Sequence, residues 1–178
     1  AQHFNSRSVN LRENVGSLIH VGEELVSKPS KPCDTGKAMP AWYQPNYQEP
    51  LSLRLLASYQ FDTFTEQQRQ VLFGQTYKIG KASDRTGCRL EGKAIQNTPA
   101  TMVSEGMAYG SVEVTTAGLP IILLKDAPTI GGYPKIGTVL SLDLAKLAQR
   151  QPGCEVSFEM IGIETAQQLR REFNQFFK

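Results

Sequence analysis

The sequence predicts a mainly β protein, a barrel or sandwich of short strands with two or three interspersed helices. Three observations predict it. Short apolar segments, alternating or continuous, recur from Leu51 to Ile161; turn-forming Gly, Pro, Asp and Ser separate them; and helical signals are confined to a few segments. With 178 residues, 40% of them hydrophobic, the chain is long enough to bury one substantial core.

In chain order, LSLRLLASYQF from Leu51 has the mixed alternation of a half-buried strand. TEQQRQVLF follows as a short helix, with Thr65 and Gln68 at capping-box spacing. QTYKIGKA alternates, SDRTG supplies turn chemistry, and CRLEG resumes as a strand. SVEVTT alternates, AGLP turns, and PIILLK is the continuous apolar run of a strand covered on both faces. KIGTVL reads as a strand and SLDLAKLAQR as a helix with Ser141 as its N-cap; a Pro-Gly turn at Pro152 leads into the alternating CEVSFEMI. In ETAQQLRREFNQFF, residues Ala166, Leu169, Phe173 and Phe176 form one helical stripe, expected to pack on the core.

The first fifty residues are different. They lack a sustained strand or helix pattern, and Ser27 to Pro50 holds five of the ten prolines, so that stretch should be extended and irregular. Trp42, Tyr43 and Tyr47 within it suit either a strap on a surface or ordinary loop anchors. The domain expectation is therefore a remnant of a preceding subdomain with a linker over 1–50, and a β-rich domain over 51–178.

Composition narrows the function. A net charge of +2, from 19 basic and 17 acidic residues, gives no concentrated basic face for nucleic acid. Cys33, Cys88 and Cys154 are far apart and show neither disulfide-framework nor metal-ligand spacing. No apolar run approaches the ~18 residues of a membrane span, and a cytoplasmic protein fits these features. Only His3 and His20 are available for a histidine-based triad, and neither a G-x-S-x-G elbow nor a Walker-type phosphate loop is present.

Four clusters hold candidate chemistry. In SDRTGCRL, Arg85 and Arg89 lie four apart across a turn that Gly87 can close with positive φ; they suit bidentate capture of a carboxylate or phosphate, or surface ion pairing. In SEGMAYGSVEV, Gly106 and Gly110 flank Tyr109 ahead of a strand, as an anion-binding turn or a plain hairpin. In DAPTIGGYP, Asp126 ends a buried-looking strand and acts as a structural acceptor, a base or a ligand orienter. Gly131 and Gly132 permit positive φ and close ligand approach, and Tyr133 can exchange a proton. The fourth, AQRQPGCEVSF, is accounted for as helix, turn and strand.

Taken in order and spacing, SDRTGCRL, SEGMAYGSVEV, GLPIILLKDAPTIGGYP and LAQRQPG resemble the allophanate hydrolase subunit 2 family, which includes component C of 5-oxoprolinase, the regulator KipA and the corresponding domain of urea carboxylase. The resemblance covers about Leu51 to Phe173, and FNSRSVNLRENVG near the start resembles a mid-protein segment of that family. It implies that the chain is the C-terminal half of a longer protein, folded as a cyclophilin-like β-barrel. It further implies a cytoplasmic subunit working with KipI-like and LamB/YcsF-like partners in ATP-dependent opening of 5-oxoproline, with ATP held here or on a partner and no covalent cofactor. Arg85 and Arg89 would hold a substrate anion, Glu113, Thr129, Gly131 and Gly132 would complete the substrate site, and Asp126 or Tyr133 would handle protons. The alternatives within the family are a non-catalytic regulator binding a KipI-like partner and the carboxyltransferase of a biotin enzyme. Two positions depart from the family pattern: Glu113 stands where Gln is common, and Pro128 where Gln or a similar polar residue is common.

Overall fold

In the computed structural model the described residues are 21, 22, 24, 41, 44, 46, 47, 49–96 and 104–176. The expectations placed on His3, His20, Cys33, Trp42, Tyr43 and most of the proline-rich stretch lie outside them. The chain divides into two compact units, Ala1–Gln44 and Pro45–Lys178, and the account below concerns the second.

That unit runs β1 (Leu51–Ala57), a single 3-10 turn (Phe61–Thr63), α1 (Glu66–Phe73), β2 (Tyr77–Ile79), β3 (Gly87–Glu91), β4 (Glu105–Gly106) and β5 (Ser111–Val114). It continues with β6 (Pro120–Leu123), β7 (Ile130–Gly131), β8 (Lys135–Val139), α2 (Ser141–Leu147), β9 (Glu155–Met160) and α3 (Ile163–Phe176). Seven strands close a barrel in the order β1-β8-β5-β6-β3-β2-β9, and β4 and β7 pair separately as a short antiparallel ribbon. The mainly β barrel expected from the sequence is therefore the architecture found.

Alternation decides which side chains fill the barrel. In β1, Leu51, Leu53 and Leu55 are buried while Ser52 faces out. β9 lies parallel to β1, Leu51 opposite Val156 through Leu55 opposite Met160, and delivers Val156 and Phe158 to the same interior. Phe158 meets the buried Tyr77 ring edge-on at 5.8 Å between centroids. All four β5 residues are buried. Val112 and Val114 belong to the core, whereas Ser111 and Glu113 occupy the opposite face of the strand, where Gly131 of β7 lies against Glu113.

The helices divide between agreement and correction. At α1 both halves of the capping box form: the Gln68 backbone N–H donates to the Thr65 hydroxyl at 3.3 Å, and the Thr65 backbone N–H to the Gln68 side-chain Oε1 at 2.7 Å. Ser141 does not cap α2. The helix begins one residue earlier, with Leu140 as N-cap and its carbonyl accepting from Asp143 and Leu144, so Ser141 is already helical. α2 is secured instead by Asp143, which is buried and accepts from both the backbone N–H (3.0 Å) and Nε (2.8 Å) of Arg54 in β1.

The stripe on α3 does not enter the core as expected. Ala166 is buried, but Leu169 and Phe173 are half-buried and Ile163 is exposed; the Phe176 side chain is outside the described set. The barrel is already closed by the β1–β9 pairing, so an amphipathic period specifies an apolar face without guaranteeing that this unit covers it. No helix among the described residues is long and apolar enough to cross a membrane.

Candidate functional site

Four connections meet in an open cleft of about 450 Å³, lined by Ser83, Asp84 and Arg85 from the β2–β3 loop, Tyr109 before β5, Leu124 and Lys125 after β6, and Leu147 at the end of α2 with Ala148, Arg150 and Pro152 beyond it. Ile79 and Cys88 also line it. Its character is apolar walls with cations: Arg85, Lys125 and Arg150 stand against the single acid Asp84 in the lining. Such a surface favours a small anion carried on an apolar body.

Each cation is held in place differently. Arg85 Nε lies 3.0 Å from Asp126 Oδ2 and its Nη2 donates to Oδ1 at 3.2 Å, while the Asp126 backbone N–H donates to the Arg85 carbonyl at 3.0 Å. Asp126 thus fastens the arginine loop to the end of β6 and orients its guanidinium. Lys125 Nζ sits 4.2 Å from the Tyr109 ring centroid, a cation–π contact, and has no acidic partner among the described residues. Arg150 donates to the backbone carbonyls of Asn46 (3.1 Å) and Tyr47 and stacks near the Tyr47 ring. Asp84 accepts from the backbone N–H groups of Thr86 (2.8 Å) and Gly87 (3.1 Å), which shapes the turn. At the cleft, burial pushes the Cys88 thiol up to about 11, against an opposing hydrogen bond from Ser83, so it is a neutral wall group rather than a thiolate.

A second group lies under the β4–β7 ribbon. Glu113 is only 6% exposed, and its Oε1 has no hydrogen-bond partner. A side chain at Gly131 would overlap that oxygen and crowd Met107, so glycine lets the ribbon close on Glu113 without displacing either side chain. Lys135, opposite Glu113 in β8, lies 3.2 Å from Glu105 Oε1 of β4; that oxygen makes no aligned hydrogen bond, so the contact is Coulombic. The Glu113 carboxyl is held above its ordinary range, first by desolvation and also by Glu105; the Tyr133 backbone N–H and Lys135 act in the opposite direction.

The residues singled out from sequence are therefore divided. Arg85 lines the cleft, and Asp126 holds it from behind. Arg89 is on the exposed face of β3 between buried Cys88 and Leu90, so it points away from the side that carries Cys88 into the cleft. Glu113, Gly131 and the Tyr133 backbone belong to the ribbon group; Thr129 and Gly132 flank it, and none of these five lines the cleft. Tyr133 itself is 38% exposed. Asp126 does not end the strand: β6 stops at Leu123, and the Asp126 side chain is part-exposed in the turn beyond. The left-handed glycines among the described residues are Gly22, Gly110, Gly118 and Gly153, so Gly87, Gly131 and Gly132 do not use positive φ. Sequence reasoning passed over Lys125 and explained the segment Ala148 to Pro152 as helix and turn without a ligand; the signal for Lys125 was its place beside Asp126 just after an apolar strand.

A closed β-barrel of the cyclophilin-like kind carries a cation-lined cleft at its loops. Residues 1–160 match the family described as the carboxyltransferase domain, subdomains A and B, and the chain belongs to that family. It is 36% identical over 121 residues to component C of the 5-oxoprolinase of Haemophilus influenzae, a match covering 67% of this chain and 39% of the relative. Against component C of the Escherichia coli 5-oxoprolinase the identity is 29% over 127 residues, covering 71% and 41%. The chain thus spans about two fifths of the length of these curated relatives. Among solved structures, TTHA0988 matches with a TM-score of 0.65 at 31% identity, over 84% of this chain and 29% of that one. The urea amidolyase of K. lactis matches with a TM-score of 0.71 at 21% identity, over 85% and 10%, a likeness of fold.

Proposed function

We propose that this chain supplies the anion-binding barrel of a subunit in an ATP-dependent amide or lactam hydrolase of the 5-oxoprolinase type, acting in the cytoplasm beside KipI-like and LamB/YcsF-like partners. The observation that carries the reading is the cleft, where Arg85, Lys125 and Arg150 stand over apolar walls. A compact substrate with one carboxylate and a small ring fits that chemistry: the cations take the carboxylate, and Tyr109, Leu124 and Leu147 take the ring. Lys125, held by an aromatic face and no acid, is the cation most available to a ligand. Asp126 acts as a positioning residue through Arg85.

ATP is assigned to a companion subunit. Triphosphates are commonly cradled by convergent backbone N–H groups of a glycine-rich loop, and this sequence carries no Walker-type phosphate loop.

The test combines the full-length protein and its companion subunits with ATP and 5-oxoproline and measures glutamate. Lys125→Ala is expected to raise KM about tenfold or more with a smaller effect on kcat, the signature of lost ground-state binding. Unchanged KM in Lys125→Ala and in Arg85→Ala together would remove the cleft from the reaction. Absence of any glutamate from the wild-type assembly would remove the reaction itself.

A further inference from the structure

Under the ribbon, two carboxyls share one cation. Lys135 faces Glu105, which leaves Glu113 without a counter-charge of its own. The groups packed around the Glu113 carboxyl are Glu105 from β4, Lys135 from β8, and Gly131 with the Tyr133 backbone N–H from β7 and its exit; β6 presents the uncharged Ile121 opposite it. The ribbon is short: Glu105 pairs with Gly131 and Gly106 with Ile130, extended by the Met107 N–H to the Thr129 carbonyl at 2.8 Å. A cover with so few hydrogen bonds opens at a fraction of the cost of unfolding the barrel.

We propose that the β4–β7 ribbon is a proton-controlled flap over Glu113, closed while that carboxyl carries its proton and released when it ionises. A buried carboxylate with one oxygen unsatisfied and only a shared cation beside it gains by regaining water. With Gly131 seated directly on Oε1, water reaches that oxygen only if the ribbon lifts. Lifting exposes Glu113, Glu105 and Lys135 together, an acid–base group that the closed form conceals. The raised proton affinity of Glu113 in the closed form gives the same sign: opening gains as pH climbs above the ordinary carboxylate range. This inference is independent of the cleft and of any substrate.

Hydrogen exchange of the full chain, wild type against Glu113→Gln at matched pH, tests it. Gln mimics the protonated carboxyl and cannot ionise. In peptides covering 104–109 and 129–133, the ratio of wild-type to variant exchange should be near one at about pH 4 and climb by up to about tenfold per pH unit in the titration window. Strands β6 and β9 should keep a constant ratio. A flat ratio in the ribbon, or an equal rise in β6 and β9, overturns the proposal. Glu105→Gln supplies a second arm: removing the like charge and freeing Lys135 for Glu113 lowers the proton affinity of the closed form, so the rise, read against Glu105→Gln/Glu113→Gln, should level off at lower pH and at a smaller ratio, and an unchanged plateau also overturns it.

Discussion

At the residue scale, the ion pair between Arg54 and Asp143 ties β1 to α2. Asp143 is 1% exposed, and its carboxylate meets both the side chain and the backbone of Arg54. The Asp143 carboxylate also raises the proton affinity of the Arg54 guanidinium, in spite of burial. Asp143→Ala strands the arginine and an N–H, and should cost about 3 kcal/mol in urea unfolding; a loss below about 1 kcal/mol would show that water replaces the carboxylate. Glu113 acts with the opposite sign of an ordinary paired acid. Its folded-state pKa is raised, so its contribution is most favourable below the ordinary glutamate pKa and declines as pH rises toward the folded value. Glu113→Gln should therefore gain stability relative to wild type as pH goes from about 4 to about 8, read as a widening gap in denaturation midpoints. The Cys88 thiol, pushed up to about 11 by burial, should alkylate at pH near 8 more slowly than the half-buried Cys154, as followed by peptide mass spectrometry.

At the element scale, local signals were legible where the chemistry is local. The Thr65–Gln68 box is written in four consecutive residues and forms as spelled, so Thr65→Ala should lower stability by about 1 kcal/mol; an unchanged midpoint would mean that the burial of Leu72 alone holds α1. The strand segments of the barrel were legible because alternation and turn residues agree. The β4–β7 ribbon was not, since two residues per strand have no period and their pairing is tertiary. The spacing of Arg85 and Arg89 misled for a related reason: a turn and the strand after it were expected to deliver both guanidiniums to one ligand, but alternation in β3 turns Arg89 outward. The Leu147 to Pro152 segment gave no signal because apolar and turn residues that wall a cleft look like any helix end. Gly131 was read as permitting positive φ and close ligand approach, whereas its use is the missing Cβ; Gly131→Ala should raise ribbon exchange by pushing the strand off Glu113.

At the scale of the whole molecule, seven strands and their order account for why distant clusters converge. Connections that are far apart in sequence leave neighbouring strands of one barrel and meet as loops around one cleft. A chain beginning at Pro45 contains every strand of the barrel, so it should fold by itself and melt cooperatively, with circular dichroism and calorimetry agreeing on one transition. Failure to fold would make the preceding residues part of the same cooperative unit.

The parallel seam between β1 and β9 joins residues roughly a hundred positions apart, and β9 also pairs with β2. During synthesis, β1 and β2 have therefore emerged long before the strand that seals them. Until Met160 clears the ribosome, both wait as unpaired edges, sites for stray pairing between nascent chains. Of all the barrel strands β9 is the zipper pulled last, which makes its arrival the step on which solubility during synthesis depends.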